Sequence, residues 1–132
     1  MTTKVFVYGT LRSGFGNNRL LVAATKVGAA VTRTAFNVTN CGFPFATEEA
    51  LDGDPGLPLL GEVYEVDEAT QHRLDQLEGH PHFYERVQRS VELLTGELLD
   101  DVWIYTVRGE MAFRFPLVNS TDNRFHWKGV PT

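Results

Sequence analysis

The chain has 132 residues, 42% of them hydrophobic, with nine Phe, four Tyr and two Trp, enough apolar material for one ordinary domain with a core. Twelve basic residues against 17 acidic ones leave a net charge of −5, and the basic residues are scattered singly, so a nucleic-acid partner is not expected. No run approaches the roughly 18 to 20 apolar residues of a membrane span, no cleavable leader is expected at the amino terminus, and a single cysteine, Cys41, excludes an internal disulfide and points to a reducing cytoplasm.

In chain order, Val5-Phe6-Val7-Tyr8 is a β-branched and aromatic run closed by Gly9, which predicts a buried strand ending in a tight turn. The segment from Gly9 to Asn17 is too glycine-rich for regular structure. Asn17 or Asn18 then predicts a helix cap, with a helix through about Lys26 carrying Leu20, Leu21 and Ala24 on one face and Gly28 just past its end. Phe36 to Val38 and Phe43 to Ala46 read as short strands split by Asn40-Cys41-Gly42, Asp52 to Pro58 as a loop, and Leu59 to Val66 as a strand. Asp67 predicts the cap of a second helix, with Leu74 and Leu77 facing inward and Gly79 and Pro81 ending it, so that Glu78 falls in or just after the last turn. Alternation from Tyr84 to Leu93, a turn near Thr95-Gly96-Glu97 and a run from Val102 to Val107 predict a hairpin. Residues 108–132 lack clear periodicity and read as a closing tail of one domain spanning 1–132.

A glycine-rich turn between a strand and a predicted helix suggests an anion site. Nucleotide patterns fail on spacing: after Gly9 and Gly14 the triphosphate loop requires Lys where Phe15 stands, and the third glycine of a dinucleotide fingerprint falls at Arg19. A small carboxylate bound by backbone amides survives that test, as does an ordinary turn. Arg12, within the loop, is a candidate attractor of an anion, an exposed arginine being the commoner outcome, and Arg86 reads as a structural ion-pair partner. Tyr8, Tyr84 and Tyr105 each carry a hydroxyl that could reach a pocket, although aromatics beside strands are more often core. His80-Pro81-His82 offers two metal ligands without an evident third, and no motif surrounds Cys41, so neither a metal site nor thiol catalysis is expected.

The run Val5-Phe6-Val7-Tyr8-Gly9-Thr10-Leu11 with Gly14 and Asn18-Arg19-Leu20-Leu21 resembles the opening of the γ-glutamylcyclotransferase-like family, especially its γ-glutamylamine cyclotransferase branch. Gly61-Glu62-Val63-Tyr64-Glu65-Val66, Leu74-Asp75-Gln76-Leu77-Glu78-Gly79 and Tyr84-Glu85-Arg86 are similar to its central segment in the same order. The likeness covers roughly residues 4 to 107. It implies an α+β fold, a small mixed β-barrel with peripheral helices. It implies that amides of Tyr8, Gly9, Thr10 and Leu11 bind a glutamyl α-carboxylate and that Glu78 is the one catalytic carboxyl group, and Tyr84 and Tyr105 remain substrate-binding candidates on their hydroxyls alone. The reaction it implies is cofactor-independent: a γ-glutamyl-amine or γ-glutamyl-amino acid gives 5-oxoproline and the free amine.

That chemistry suits one carboxyl group. The α-amine must lose a proton as it attacks its own γ-amide, and the departing nitrogen must gain one, so a single Glu can act as base and then acid. Ring closure is unimolecular and is helped by holding the glutamyl group bent. A small-molecule partner, no membrane partner and a monomer or weak homo-oligomer are expected. The competing reading is a non-catalytic module that binds or senses a small ligand in the same pocket.

Overall fold

The computed structural model describes residues 2–9, 11–12, 16–21, 24–40, 42, 44–118, 120–121 and 124–125. Among them, strands β1 (Thr2–Val7), β2 (Thr25–Asn40), β4 (Leu57–Asp67), β5 (Glu85–Leu93) and β6 (Leu98–Thr106) close a mixed barrel in the circular order β1, β4, β2, β5, β6. All neighbours are antiparallel except β1 and β6, which pair in parallel at Val5 with Trp103 and Phe6 with Ile104. β3 (Pro44–Thr47) extends the sheet beyond β2, and two-residue strands β7 (Ser120–Thr121) and β8 (Arg124–Phe125) attach beside β4. Helices α1 (Glu68–Glu78) and α2 (Gly109–Ala112) lie outside. The α+β expectation of a small mixed barrel with peripheral helices is therefore met.

Strand alternation makes two cores. Phe6 of β1 and Tyr8 just after it join Phe36, Val63, Val91 and Ile104 in one cluster, whereas Val5 and Val7 face the other way to pack with Leu11, Leu21, Val66 and Leu74. The second cluster seats α1 against the barrel wall.

Four expectations need correction. The helix predicted through Lys26 is a short 3₁₀ helix over Gly16–Leu21, and β2 has begun by Thr25, which pairs with Glu65. Asn18 caps nothing: its Nδ2 donates to Leu11 O at 2.7 Å and to Tyr64 Oη at 3.1 Å. Cross-strand pairing overrides the local helical pattern, and Gly28, expected past the helix end, sits in β2 at a register shift against β4. Leu77, expected inward, is 44% exposed, while Leu74 is fully buried.

The prediction for α1 otherwise holds in detail. Asp67 Oδ1 accepts from Thr70 N at 2.7 Å, satisfying a free amide of the first turn. Gly79 ends the helix at φ 67°, a left-handed conformation that side chains disfavour. The following turn folds back, with Phe83 N donating to Gly79 O at 2.8 Å and Tyr84 N to Glu78 O at 3.1 Å. Glu78 is thus held from both sides of its peptide. No helix among the described residues is long and apolar enough to cross a membrane.

Candidate active site

A cleft of about 440 Å³ opens where β1 ends. One wall is Tyr8, Gly9 and Leu11, reached from Phe6 and Val7 of β1. The opposite elements are the end of α1, with Gln76, Leu77 and Glu78, and the turn carrying Gly79, Phe83 and Tyr84. Pro44 and Tyr105 complete it. Every described residue singled out from the sequence as catalytic or substrate-binding, namely Glu78, Tyr8, Gly9, Leu11, Tyr84 and Tyr105, therefore borders one space. Thr10 lies outside the described residues, as do Gly14 and Cys41.

The turn after β1 is braced from behind. Gly9 O accepts from Arg12 N at 3.1 Å and from Arg12 Nε at 3.2 Å, and Leu11 O accepts from Asn18. These bonds hold the turn's carbonyls in fixed positions. Arg12 is buried, 6% exposed, which corrects the expectation of a solvated side chain. Burial lowers its guanidinium from the ordinary value, and the charge of Glu62 opposes that. Gly9 also sits tightly on Pro44: a Cβ there would meet the proline Cγ at 2.9 Å.

Glu78 is half-buried on the cleft wall, and burial pushes its carboxyl group up from 4.5 to about 7. A carboxyl group that titrates near neutrality is equipped to take up and release a proton. Burial, and after it the charge of Glu78, raises the Tyr8 hydroxyl, and burial with the hydrogen bond and charge of Asp75 raises that of Tyr105, so both phenols stay protonated.

All three tyrosine hydroxyls are engaged with the protein. Tyr8 Oη donates to Tyr105 O, Tyr84 Oη to Pro44 O at 2.7 Å, and Tyr105 Oη to Asp75 Oδ1 at 2.6 Å. These bonds tie strands and helix together. Tyr105 also accepts from Gln71 Nε2 at 2.8 Å. Arg86 Nε lies 3.0 Å from the same Asp75 oxygen, an ion pair whose N–H is not aimed along a hydrogen bond, and its guanidinium stacks 4.2 Å over Trp103. Arg86 is thus a structural ion-pair partner. This Asp75 cluster fixes the helix turn that ends in Glu78, a role missed in the sequence because Asp75 stands 30 residues from Tyr105.

His80 Nδ1 accepts from Arg86 N at 3.2 Å and so serves the turn, and no group of three or more His, Cys, Asp or Glu among the described residues is placed to hold a metal.

The family model described as "Gamma-glutamyl cyclotransferase, AIG2-like" matches residues 5–125. The chain belongs to the AIG2-like gamma-glutamyl cyclotransferase family. A provisionally named gamma-glutamylcyclotransferase of Methanocaldococcus jannaschii is 37% identical over 102 residues, covering 76% of this chain and 81% of that protein. The gamma-glutamylaminecyclotransferase of Bos taurus is 36% identical over 94 residues, covering 67% of this chain and 56% of its own length. The crystal structure of an AIG2-like protein from Mus musculus superposes with a TM-score of 0.75 at 27% identity, covering 92% of this chain and 88% of that one. As a member of the AIG2-like family the chain is an enzyme of the gamma-glutamylcyclotransferase type.

Proposed function

We propose that this enzyme cyclises a γ-glutamyl amide to 5-oxoproline and a free amine without a cofactor, with Glu78 transferring the proton. The observation that carries the reading is a half-buried carboxyl group, pushed up to about 7 by its burial, in the same cleft as Gly9 and Leu11 of the turn after β1. The α-carboxylate of the glutamyl group binds amides of that turn, from Tyr8 to Leu11 with Thr10 among them, which bends the chain and brings the α-amine to its γ-carbonyl. The amine nitrogen bonds to the γ-carbon as the amide C–N bond breaks. Glu78 takes a proton from the attacking nitrogen and delivers it to the departing one, so no net proton is consumed. The rings of Tyr8, Tyr84 and Tyr105 shape the space around the glutamyl group and exclude water that would compete with ring closure. A cytoplasmic setting accords with a single cysteine.

The test is to incubate the protein with γ-glutamyl-amines and γ-glutamyl-amino acids and follow 5-oxoproline by mass spectrometry. Release of 5-oxoproline with an equal amount of amine is expected. Release of glutamate instead would show hydrolysis and overturn the cyclisation.

A further inference from the structure

Among the described residues two side chains brace the turn after β1, Asn18 and Arg12, and both lead back to one carboxylate on β4. Glu62 pairs across the sheet with Val7, the last residue of β1. A Cβ at Gly61 would meet Val7 O at 2.3 Å, so β4 lies close against the strand end from which the turn departs. Glu62 and Tyr64 share the face of Val7 and Val5, and neither is among the residues bordering the cleft. The Asn18 brace is a continuous chain of hydrogen bonds. Asn18 Nδ2 donates to Leu11 O at 2.7 Å and to Tyr64 Oη at 3.1 Å, and Tyr64 Oη donates to Glu62 Oε1 at 3.1 Å.

The Arg12 brace depends on charge. Its Nε donates to Gly9 O at 3.2 Å from a side chain that is 6% exposed, and a guanidinium so placed needs an opposite charge to stay there. The carboxylate that offsets its burial is Glu62. The Glu62 side chain is itself only 17% exposed, so water screens that attraction little, and its Oε2 lies 3.4 Å from Lys26 Nζ while Oε1 serves Tyr64. A peptide unit is planar, so a carbonyl held from behind fixes the direction of the N–H that shares its plane. One side chain of β4 thus governs both carbonyls that orient the turn.

We propose that Glu62 is a positioning residue: from β4, outside the cleft, it anchors Asn18 through the Tyr64 hydroxyl and Arg12 through charge, and so fixes the turn that receives the substrate's α-carboxylate. The inference rests on the proposed role of that turn but not on the proton chemistry of Glu78. Two probes test it, γ-glutamyl-anilide and its α-carboxamide, with Kd measured by calorimetry on proteins carrying Glu78→Gln so that bound compound persists. The parent should favour the carboxylate by at least about tenfold. Glu62→Ala should cut that preference below about threefold, and Tyr64→Phe, which keeps the ring and removes the hydroxyl, should reduce it at least about twofold. Glu62→Gln keeps an acceptor for Tyr64 but no charge for Arg12, so adding it to Arg12→Ala should change the preference by less than about 1.5-fold beyond Arg12→Ala alone. With Glu78 intact, Glu62→Ala and Tyr64→Phe should raise KM for the anilide at least about threefold and alter kcat less than about twofold. General loosening of the fold would weaken both probes alike and leave the preference intact. An intact or increased preference in folded Glu62→Ala and Tyr64→Phe, or no preference in the parent, overturns the inference; if Glu62→Ala does not fold, Tyr64→Phe and Glu62→Gln decide it. A preference that falls as stated, with no 5-oxoproline formed from any γ-glutamyl compound by the wild type, upholds the role of Glu62 and overturns the cyclotransferase reading instead.

Discussion

Replacing Glu78 by Gln should stabilise the protein at alkaline pH and do nothing for it in acid. Burial raises the Glu78 carboxyl group from 4.5 to about 7, which sets the penalty on its charged form at up to ~3 kcal/mol. The cleft is open and its walls can relax, so ~1–3 kcal/mol is the working range. The sign follows from proton binding: between 4.5 and about 7 the folded chain holds the proton more tightly than the unfolded one, so stability falls as pH rises. The favourable contribution is complete below 4.5 and lost above about 7. Gln neither ionises nor changes size, so the variant escapes the loss. At pH 8 its midpoint should exceed the wild type by about 4–10 °C for a chain of this length, with no difference at pH 4. Thermal unfolding followed by circular dichroism at pH 4, 6 and 8 measures this. Identical midpoints at pH 8, or a gap that does not vary with pH, would refute a buried, strained carboxyl group at this position.

Three further outcomes are expected. With Glu78 acting first as base, kcat/KM should rise with pH through about 7, and a profile flat from pH 5 to 8 would contradict that. Tyr105→Phe removes the donor to Asp75 and the acceptor of Gln71, so it should cost about 1–2 kcal/mol in urea unfolding and lower kcat by loosening the end of α1; unchanged stability would mean the cluster is not holding the helix. Arg12→Ala frees Gly9 O from its side-chain donor, so KM for a γ-glutamyl compound should rise at least about fivefold with kcat changed far less, and an unaltered KM would show that Arg12 does not brace the turn.

What could be read from the sequence was local. The Asp67 cap and the Gly79 stop depend on residues a few positions apart and fall where expected; the hairpin of β5 and β6 turns where expected, although β6 begins at Leu98 rather than Val102. The position of Glu78 at the helix end followed from those two caps. The helix predicted after Asn18 failed because the amphipathic spacing of Leu20, Leu21 and Ala24 competes with β2, a strand of sixteen residues that pairs with β3, β4 and β5. Leu77 sits on the apolar stripe, yet the cleft rather than the core lies beside it. The tyrosine hydroxyls found acceptors far along the chain, 97 residues away for Tyr8 and 40 for Tyr84, and no spacing rule reveals such pairs. Barrel closure by the parallel pairing of β1 and β6 is non-local in the same sense. It was the family resemblance, not periodicity, that anticipated it.

The central claim is that one carboxyl group, Glu78, carries the proton during ring closure. The most direct measurement is single-turnover formation of 5-oxoproline by Glu78→Gln, beside calorimetric binding of the same γ-glutamyl compound. The account predicts a fall of at least about a hundredfold in rate with binding retained, the range that general acid and base assistance supplies. A folded variant that binds the compound and cyclises it at the wild-type rate would contradict the claim.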